Sequence, residues 1–147
     1  MAVRVQAAEF DPGAELSAFA SGRRDIGALV SFTGVVRDTD GTLVAMEIEH
    51  YAGMTERAIG AMLETARTRW SLVDAMVIHR YGRLAPAEVI MMVATASAHR
   101  AEAFAAADYL MDYLKSRAPF WKKELRANGG EWVAAKHDDE AALGRWN

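Results

Sequence analysis

The chain contains no cysteine among its 147 residues, and this absence removes several kinds of chemistry at once. A protein without thiols has no thiolate nucleophile, forms no disulfide or persulfide, and holds no metal through sulfur. Four histidines stand at positions 50, 79, 99 and 137, without the HxxxH or HxH spacing typical of metal ligands. We therefore expect neither a bound metal nor a resident cofactor.

Long apolar runs, nucleotide-binding glycine motifs and an excess of positive charge are also missing. No hydrophobic stretch approaches the roughly 18 residues of a membrane span, and the first ten residues lack the apolar core of a secretion signal. The glycines form neither GxGxxG nor GxxxxGK[ST]. A formal net charge of −3 gives no broad positive field for nucleic acid. We expect a cytoplasmic protein that binds neither membrane nor nucleic acid.

The residues that are present favour one domain of the α+β class. A hydrophobic fraction of 52% can supply a substantial core, and no linker divides residues 1–147. Apolar patterns with the periods of strands and of helices alternate along the chain. They predict strands near 3–5, 26–36, 43–51, 75–81, 89–96, 120–126 and 131–136, and helices over 11–23, 53–70 and from 97 to Pro119. This grouping favours a sandwich of antiparallel strands with about three helices.

Turn and capping residues refine this prediction. Asp11 and Thr55 are the expected N-caps of the first two helices. The polar tail from His137 is expected to be mostly unstructured, apart from a turn near 140–145. Consecutive strands are expected to form three hairpins, which are 26–36 with 43–51, 75–81 with 89–96, and 120–126 with 131–136.

Positive charge gathers at the two ends of the third helix. Ser97, His99 and Arg100 stand at its start, where the free N–H groups of a helix already favour an anion. Lys115 and Lys122 stand at its end. Because the chain as a whole is mildly acidic, this local cluster predicts a site for a small anion.

The apolar face of this helix affects the protonation state that we expect for Lys115. Phe104, Ala107, Met111 and Leu114 recur at spacings of three and four, which predicts that they all pack inward. Lys115 follows Met111 by one turn and is expected at the margin of this stripe, where partial loss of hydration would favour the neutral amine. The alternative is that Lys115 only offsets the helix dipole, as cations near helix C-termini commonly do.

Arg37 also has two interpretations. It ends a predicted buried strand where a loop begins, a place that ligand-facing side chains often occupy. An ion pair with Asp38 or Asp40 explains it equally well.

Several runs of the sequence together resemble one protein family. They are SFTGVVRDTDG, IEHYAGMTE, HRYGRL, TASAHRAEAF, MDYLKSRAPFWKKE and EWVAAK. Generic packing does not produce a helix ending in DYLKSRAPFWKKE, and the match extends from about Gly27 to Trp146. On these residues the chain resembles the large, catalytic subunit of molybdopterin synthase.

The resemblance implies a fold and a reaction. The fold is an α/β-hammerhead-like sandwich with a small additional β subdomain. The reaction is a sulfur transfer that converts cyclic pyranopterin monophosphate into molybdopterin by installing a dithiolene. Sulfur arrives as a thiocarboxylate on the C-terminal Gly-Gly of a small ubiquitin-like subunit, within a heterotetramer built on a homodimer. A chain without cysteine suits such a sulfurtransferase, because another protein carries the sulfur.

The resemblance also implies site residues, with Lys115 and Lys122 as the catalytic pair. The positions that match or adjoin the family's substrate pocket are Val35, Val36, Arg37, His99, Arg100, Met111, Lys115, Lys122, Lys123, Glu124 and Lys136. Lys136 stands where relatives often carry arginine, so it keeps the charge and loses the bidentate fork. Ala52 stands where proline is usual.

Two other functions stay open, a non-catalytic docking module for a ubiquitin-like protein and another phosphopterin-processing enzyme.

Helix geometry predicts an oligomer. Arg100 and Lys115 are 15 residues apart on one predicted helix, and at about 1.5 Å per residue this places them roughly 22 Å apart. One small phosphorylated pterin cannot touch both. We therefore expect a homodimer in which His99 and Arg100 of one chain, together with Lys136, complete the pocket of Arg37, Lys115 and Lys122 of the other, with one partner subunit at each end.

Overall fold

Two four-stranded sheets and four α-helices are seen in a computed structural model that describes residues 1–133 and 137–146. Their bounds are β1 Ala2–Gln6, α1 Pro12–Ala20, β2 Ala28–Val35, β3 Leu43–His50, α2 Met54–Trp70, β4 Asp74–Arg80, β5 Gly82–Leu84, β6 Val89–Ser97, α3 Arg100–Ser116, β7 Phe120–Arg126, β8 Gly129–Val133 and α4 His137–Ala142, followed by a 3₁₀ turn, Leu143–Trp146. The predicted α+β class is confirmed. In the part of the chain that the structure describes, no helix is long and apolar enough to cross a membrane.

The first sheet has the strand order β1-β4-β6-β2, with β1 parallel to β4 and the other pairs antiparallel. Its central strands β4 and β6 are almost wholly buried, because their apolar runs face helices on both sides. Helix α1 packs over Met76, Ile78 and Met92 on one face. Helices α2 and α3 pack on the other face, over residues that include Val77 and Val93. The methionines of these strands, Met76, Met91 and Met92, fill the core.

The second sheet has the order β5-β3-β7-β8 and is antiparallel throughout. The hairpin predicted between 26–36 and 43–51 is therefore wrong, since β2 pairs with β6 in the first sheet and β3 pairs with β7 in the second. Backbone bonds explain the departure of the chain from β2. Val36 donates to the Glu88 carbonyl at 2.9 Å and accepts from the Ala87 N–H at 2.8 Å, which binds it to the loop before β6.

The other two hairpins are confirmed, because β4 pairs with β6 and β7 pairs with β8. The three-residue strand β5, which lies in the connection between β4 and β6, was not predicted. It joins the edge of the second sheet beside β3. The loop of the last hairpin is shorter than expected. Strand β8 begins at Gly129, whose φ of +125° suits glycine.

Of the two predicted N-caps, one is confirmed and one is wrong. The Asp11 carboxylate accepts from the N–H groups of Gly13 and Ala14 at 2.9 and 3.2 Å. Helix α2 is capped at Gly53, whose N–H donates to the Glu56 carboxylate at 2.7 Å. Thr55 lies inside the helix and is fully buried, and its hydroxyl donates to the Pro119 carbonyl at 3.4 Å.

Helix α3 buries Ala107 and Leu114 and packs Met111 against the core, as predicted, but its stripe does not include Phe104. Its buried residues are Ala103, Ala106, Ala107, Tyr109, Leu110 and Leu114. Phe104 is 61% exposed, so its expected inward packing is wrong. It lies one residue from the stripe that begins at Ala103, and one residue turns a helix by about 100°.

Residues 137–146 form α4 and the 3₁₀ turn, whereas the tail from His137 was expected to be mostly unstructured apart from a turn near 140–145. Leu143 is buried, and the Trp146 ring lies 5.5 Å from Trp70 and 5.7 Å from Tyr109 between ring centroids. Arg145 binds the carboxylate of Asp112 on α3 at 2.7 Å. This tail therefore fastens the chain end to α2 and α3.

Candidate functional site

Strand register divides the predicted site residues between the two ends of the first sheet. Strand β2 runs antiparallel to β6, so that Val35 lies beside Val89 and Ala28 beside Ser97. Helix α3 follows β6 and packs back along β6 and β2. Its N-terminus therefore starts at the Ser97 end and its C-terminus returns to the Val89 end. We call these the arginine end, with His99 and Arg100, and the lysine end, with Arg37, Lys115 and Lys122.

At the lysine end, a buried ring contact brings β7 to the first sheet. The ring of Phe120 stacks on His79 of β4, with 3.7 Å between centroids and 17° between planes. Lys122 follows Phe120 by two residues and points to the same side of β7, between Ile48 on β3 and Val133 on β8. Lys122 is thereby held half-buried.

The pKa of the Lys122 ammonium lies below its ordinary value. Burial is the largest cause, and the positive charge of Lys115 acts in the same direction. The Asp139 carboxylate, brought in by α4, raises the pKa and opposes both. Its backbone carbonyl accepts from the Ser116 hydroxyl at 3.1 Å, which fixes α4 beside the end of α3. The structure thus gathers two lysines and one carboxylate at this end.

The expected partial burial of Lys115 is wrong. Its side chain is exposed in the last turn of α3, and Leu114 occupies the buried position instead. The turn at Pro119 reverses the chain and brings Lys122 close to Lys115. The spacing of the two lysines in the sequence had left this proximity open. Lys115 is thus the accessible lysine of the pair and Lys122 the sheltered one.

Arg37 follows buried Val36 and is exposed at the same end of β2. Both carboxylates proposed as its alternative partners are engaged elsewhere. Asp38 accepts from the Gly41 N–H at 3.0 Å, and Asp40 pairs with Arg126 at 3.2 Å. Among the described residues Arg37 forms no ion pair, which leaves its guanidinium available to an anionic ligand.

The arginine end is built where two backbone segments meet closely. Gly27 donates to the Ser97 carbonyl at 3.0 Å, and a Cβ on Gly27 would lie 2.1 Å from the Ala98 oxygen. His99 is the N-cap of α3 and makes no side-chain capping bond. His99 and Arg100 are both exposed, and within the described ranges neither belongs to an ion pair. The Arg100 cation at the helix start opposes the dipole, so an anion here would relieve this conflict.

The remaining predicted residues fall in different surroundings. Val35 is 48% exposed, and Met111 packs against the core. Lys123 lies on the opposite face of β7 from Lys122, with its amine 5.4 Å from the Trp132 ring centroid. Glu124 shares the Lys122 face and binds Arg126 at 2.7 Å. Lys136 lies outside the described residues.

Sequence reasoning missed His79 and Asp139. His79 was considered only as a metal ligand, although a single histidine inside an apolar strand signals a buried polar group. Asp139 was missed because the tail was expected to be unstructured. No three His, Asp or Glu side chains of the described ranges are grouped as metal ligands.

Fold and charge together define an α+β protein with cationic clusters at both ends of one helix, an arrangement suited to a small anionic ligand. The model of the MoaE protein family matches residues 5–117. A molybdopterin synthase catalytic subunit of Cereibacter sphaeroides is 70% identical over 146 residues, covering 99% of this chain and all of the relative.

Solved structures agree with this match. The molybdopterin biosynthesis MoaE protein of Burkholderia ambifaria superposes with a TM-score of 0.85 at 47% identity, covering 100% of this chain and 99% of the other. A complex of subunits 1 and 2 of molybdopterin-converting factor from Helicobacter pylori shares the fold, with a TM-score of 0.76, 20% identity and coverage of 92% and 90%. The chain belongs to the MoaE family of molybdopterin synthase catalytic subunits, which are sulfurtransferases of molybdenum cofactor biosynthesis.

Proposed function

We propose that this chain, as one domain, transfers sulfur from the C-terminal thiocarboxylate of a small ubiquitin-like subunit to cyclic pyranopterin monophosphate. The product is the dithiolene of molybdopterin. The observation that carries this proposal is the lysine end, where half-buried Lys122 lies near the exposed Lys115. A thiocarboxylate and a phosphate are both anions, and two neighbouring cations attract such a group.

Each cation has a role that follows from its exposure. Arg37 and Arg100 are exposed guanidinium groups that hold phosphate by charge-assisted hydrogen bonds, with His99 beside them. Lys115 reaches the reacting atoms and moves a proton or forms a transient covalent adduct. As the thiocarboxylate sulfur bonds to a precursor carbon, a carbon–oxygen bond at that carbon breaks, and Lys122 stabilises the negative charge that develops on the departing oxygen. Water then hydrolyses the thioester between the partner's carbonyl carbon and the sulfur, leaving the sulfur on the precursor and a carboxylate on the partner. A second thiocarboxylate delivers the second sulfur in the same way, which completes the dithiolene.

A homodimer supplies both clusters to one pocket. Helix α3 is unbroken from Arg100 to Ser116, so the arginine end and the lysine end of one chain stay roughly 22 Å apart. The edge strand β2 and the neighbouring α3 also expose large apolar side chains, namely Leu29, Phe32, Val35 and Phe104. Such side chains on a sheet edge favour association with another chain. We place one shared site at each end of a two-fold dimer.

The partner is a small subunit whose tail reaches the lysine end. The complex of two converting-factor subunits from Helicobacter pylori supports a two-protein assembly of this kind. With one partner at each site, the dimer becomes a heterotetramer. We expect the assembly in the cytoplasm.

Reconstitution tests this function. The purified chain is incubated with cyclic pyranopterin monophosphate, with and without the thiocarboxylated partner, and dithiolene product is measured. We expect product only with the partner present. Turnover of the precursor without the partner would indicate a different phosphopterin enzyme. Partner binding without any product would indicate a docking module.

A further inference from the structure

His79 is a buried titratable residue that the proposed reaction does not use. Its side chain is on β4 and only 4% exposed. Its Nδ1 lies 2.7 Å from the Arg80 carbonyl oxygen. Because a carbonyl can only accept, Nδ1 carries the hydrogen, which fixes the ring plane and leaves Nε2 unprotonated in the neutral ring.

The His79 ring is the point where the first sheet contacts the start of β7. It stacks on Phe120 with 3.7 Å between centroids, and Phe120 precedes Lys122 on the same face of the strand. Pro119, one residue earlier, is held by the Thr55 hydroxyl through its carbonyl at 3.4 Å. The turn between α3 and β7 is therefore held by both α2 and β4. A shift of Phe120 would move Lys122 with it.

Charged or titratable groups face Lys122 from three other elements. Lys115 comes from α3, Asp139 from α4 and His79 from β4. His50 lies further along β3, with its ring centroid 6.4 Å from Phe120 and its Nδ1 3.9 Å from a Glu56 carboxylate oxygen. A charged imidazole at position 79 would add a third cation to the two lysines.

The surroundings of His79 keep its ring uncharged. Burial lowers the pKa of His79 to about 3, with the positive charge of Lys122 and then His50 adding to the effect, while the Arg80 carbonyl opposes them. The ring is thus neutral at every pH near neutrality. It covers Phe120 without repelling Lys122.

We propose that His79 is a positioning residue, whose neutral ring stacks on Phe120 and so holds Lys122 half-buried beside Lys115. The consequence for turnover rests on the proposed function of the two lysines. The effect on the protonation of Lys122 does not depend on it.

Two substitutions at His79 separate positioning from bulk stability. His79→Ala removes the stack and opens space for water, whereas His79→Phe keeps an aromatic ring against Phe120. Ile78→Ala is the matched control, because Ile78 is the fully buried neighbour on β4 and packs on the opposite face, under α1. Phe120→Leu removes the same stack from the other side, so the test remains available if His79→Ala does not fold.

The first measurement is an NMR titration of Lys122 in protein with isotope-labelled lysine. We expect His79→Ala and Phe120→Leu to raise the pKa of Lys122 towards the ordinary lysine value. His79→Phe should keep the pKa of Lys122 low. Ile78→Ala should lower the melting temperature and leave the pKa of Lys122 unchanged. An unchanged Lys122 pKa in both ring-removing variants, or the same rise in the Ile78→Ala control, would overturn the proposal.

The second measurement is steady-state kinetics of the complete assembly with the thiocarboxylated partner. We expect His79→Ala to lower kcat by up to about 100-fold, the scale of a misplaced catalytic group, with little change in KM for the precursor. His79→Phe should restore most of kcat. A rise in KM alone would contradict positioning. If the wild-type assembly makes no product, the proposed function fails and the NMR titration still decides the role of His79.

Discussion

The ammonium of Lys122 on β7 lies within electrostatic reach of Lys115 at the end of α3, although seven residues and a reversal of the chain separate them. Burial first, and the neighbouring charge second, lower the pKa of Lys122. Bringing two cations together in a folded protein is unfavourable unless something compensates it. Asp139 compensates part of it, and an anionic substrate would compensate the rest.

The first prediction concerns the exposed member of this pair. Lys115→Ala should reduce product formation by about 10² to 10⁴, because under the proposed function it removes the group that moves a proton or forms the covalent adduct. Lys122→Ala should be severe but less so. Arg117→Ala is the matched control, since Arg117 is an exposed cation two residues away that pairs with Glu140. Thermal melting checks that each variant folds, and near wild-type turnover in Lys115→Ala would refute the central role of this lysine.

The second prediction concerns stability at acid pH. The pKa of His79 is about 3 in the folded chain against 6.5 in the unfolded chain, so the unfolded state binds the extra proton throughout that window. As the pH falls from roughly 6 to 3, protonation of His79 in the unfolded state lowers the free energy of unfolding by about 1.4 kcal/mol for each pH unit. Its contribution is complete above pH 6.5 and is lost as the pH falls.

Urea unfolding of wild type and His79→Phe from pH 7 to pH 4 measures this effect. Phenylalanine cannot titrate, so the stability of the variant should fall less steeply by about 1.4 kcal/mol per unit. Carboxylates contribute equally to both curves. Parallel curves would mean that the pKa of His79 is the same in the folded and the unfolded chain.

Sequence alone predicted the elements whose signals are local. Asp11 followed by Pro12 identified the start of α1, and the apolar runs of β4 and β6 identified the central strands. The strand pairings that the sequence did not predict depend on partners that are distant in the chain. The pattern of β2 and β3 is the same whether they pair with each other or with β6 and β7, so only the whole fold decides.

The candidate site shows the same division. The charges at both ends of α3 were visible as residue types, and helix length alone separated Arg100 from Lys115. Which lysine is sheltered was not visible, because the burial of Lys122 comes from β3, β8 and the His79 contact. The Phe104 error has a similar origin, since alanine positions such as Ala103 define the buried stripe.

The third prediction concerns the C-terminal tail. Leu143→Ala should lower the free energy of unfolding by about 2 to 4 kcal/mol, because it empties a buried position. Arg145→Ala should cost less, about 1 kcal/mol, since the side chains of Arg145 and Asp108 are about half exposed and the more buried Asp112 keeps the Trp146 indole N–H as a donor. Chemical denaturation measures both. A larger loss in Arg145→Ala than in Leu143→Ala would show that charge rather than burial fastens the tail.

The fourth prediction concerns the partner's tail. An extended Gly-Gly end can enter a narrow channel without steric conflict, and we expect it to pass the Phe120 and Trp121 region towards Lys115. Bulky residues in place of the two glycines should reduce product formation far more than they reduce docking. Binding is measured by calorimetry and product by the reconstitution assay. Equal losses in both would argue against a threaded tail.

The last prediction follows from the rigidity of α3. The helix runs from Arg100 to Ser116 without an internal glycine or proline to bend it. A site that needs both Arg100 and Lys115 must therefore draw them from two chains. In a two-fold dimer of two different inactive chains, one of the two sites receives both substitutions and the other receives neither.

Mixing Arg100→Ala with Lys115→Ala protein should accordingly restore activity. Random exchange of subunits makes half of the dimers mixed, and each mixed dimer has one intact site of two, so recovery should approach about a quarter of wild-type activity. Differently tagged chains establish that mixed dimers have formed, and mixing Lys115→Ala with Lys122→Ala is the matched control, because both lie at the same end and leave no intact site. Equal recovery in the control, no recovery in verified mixed dimers, or a chain that sediments as a monomer at assay concentration would each exclude the shared site.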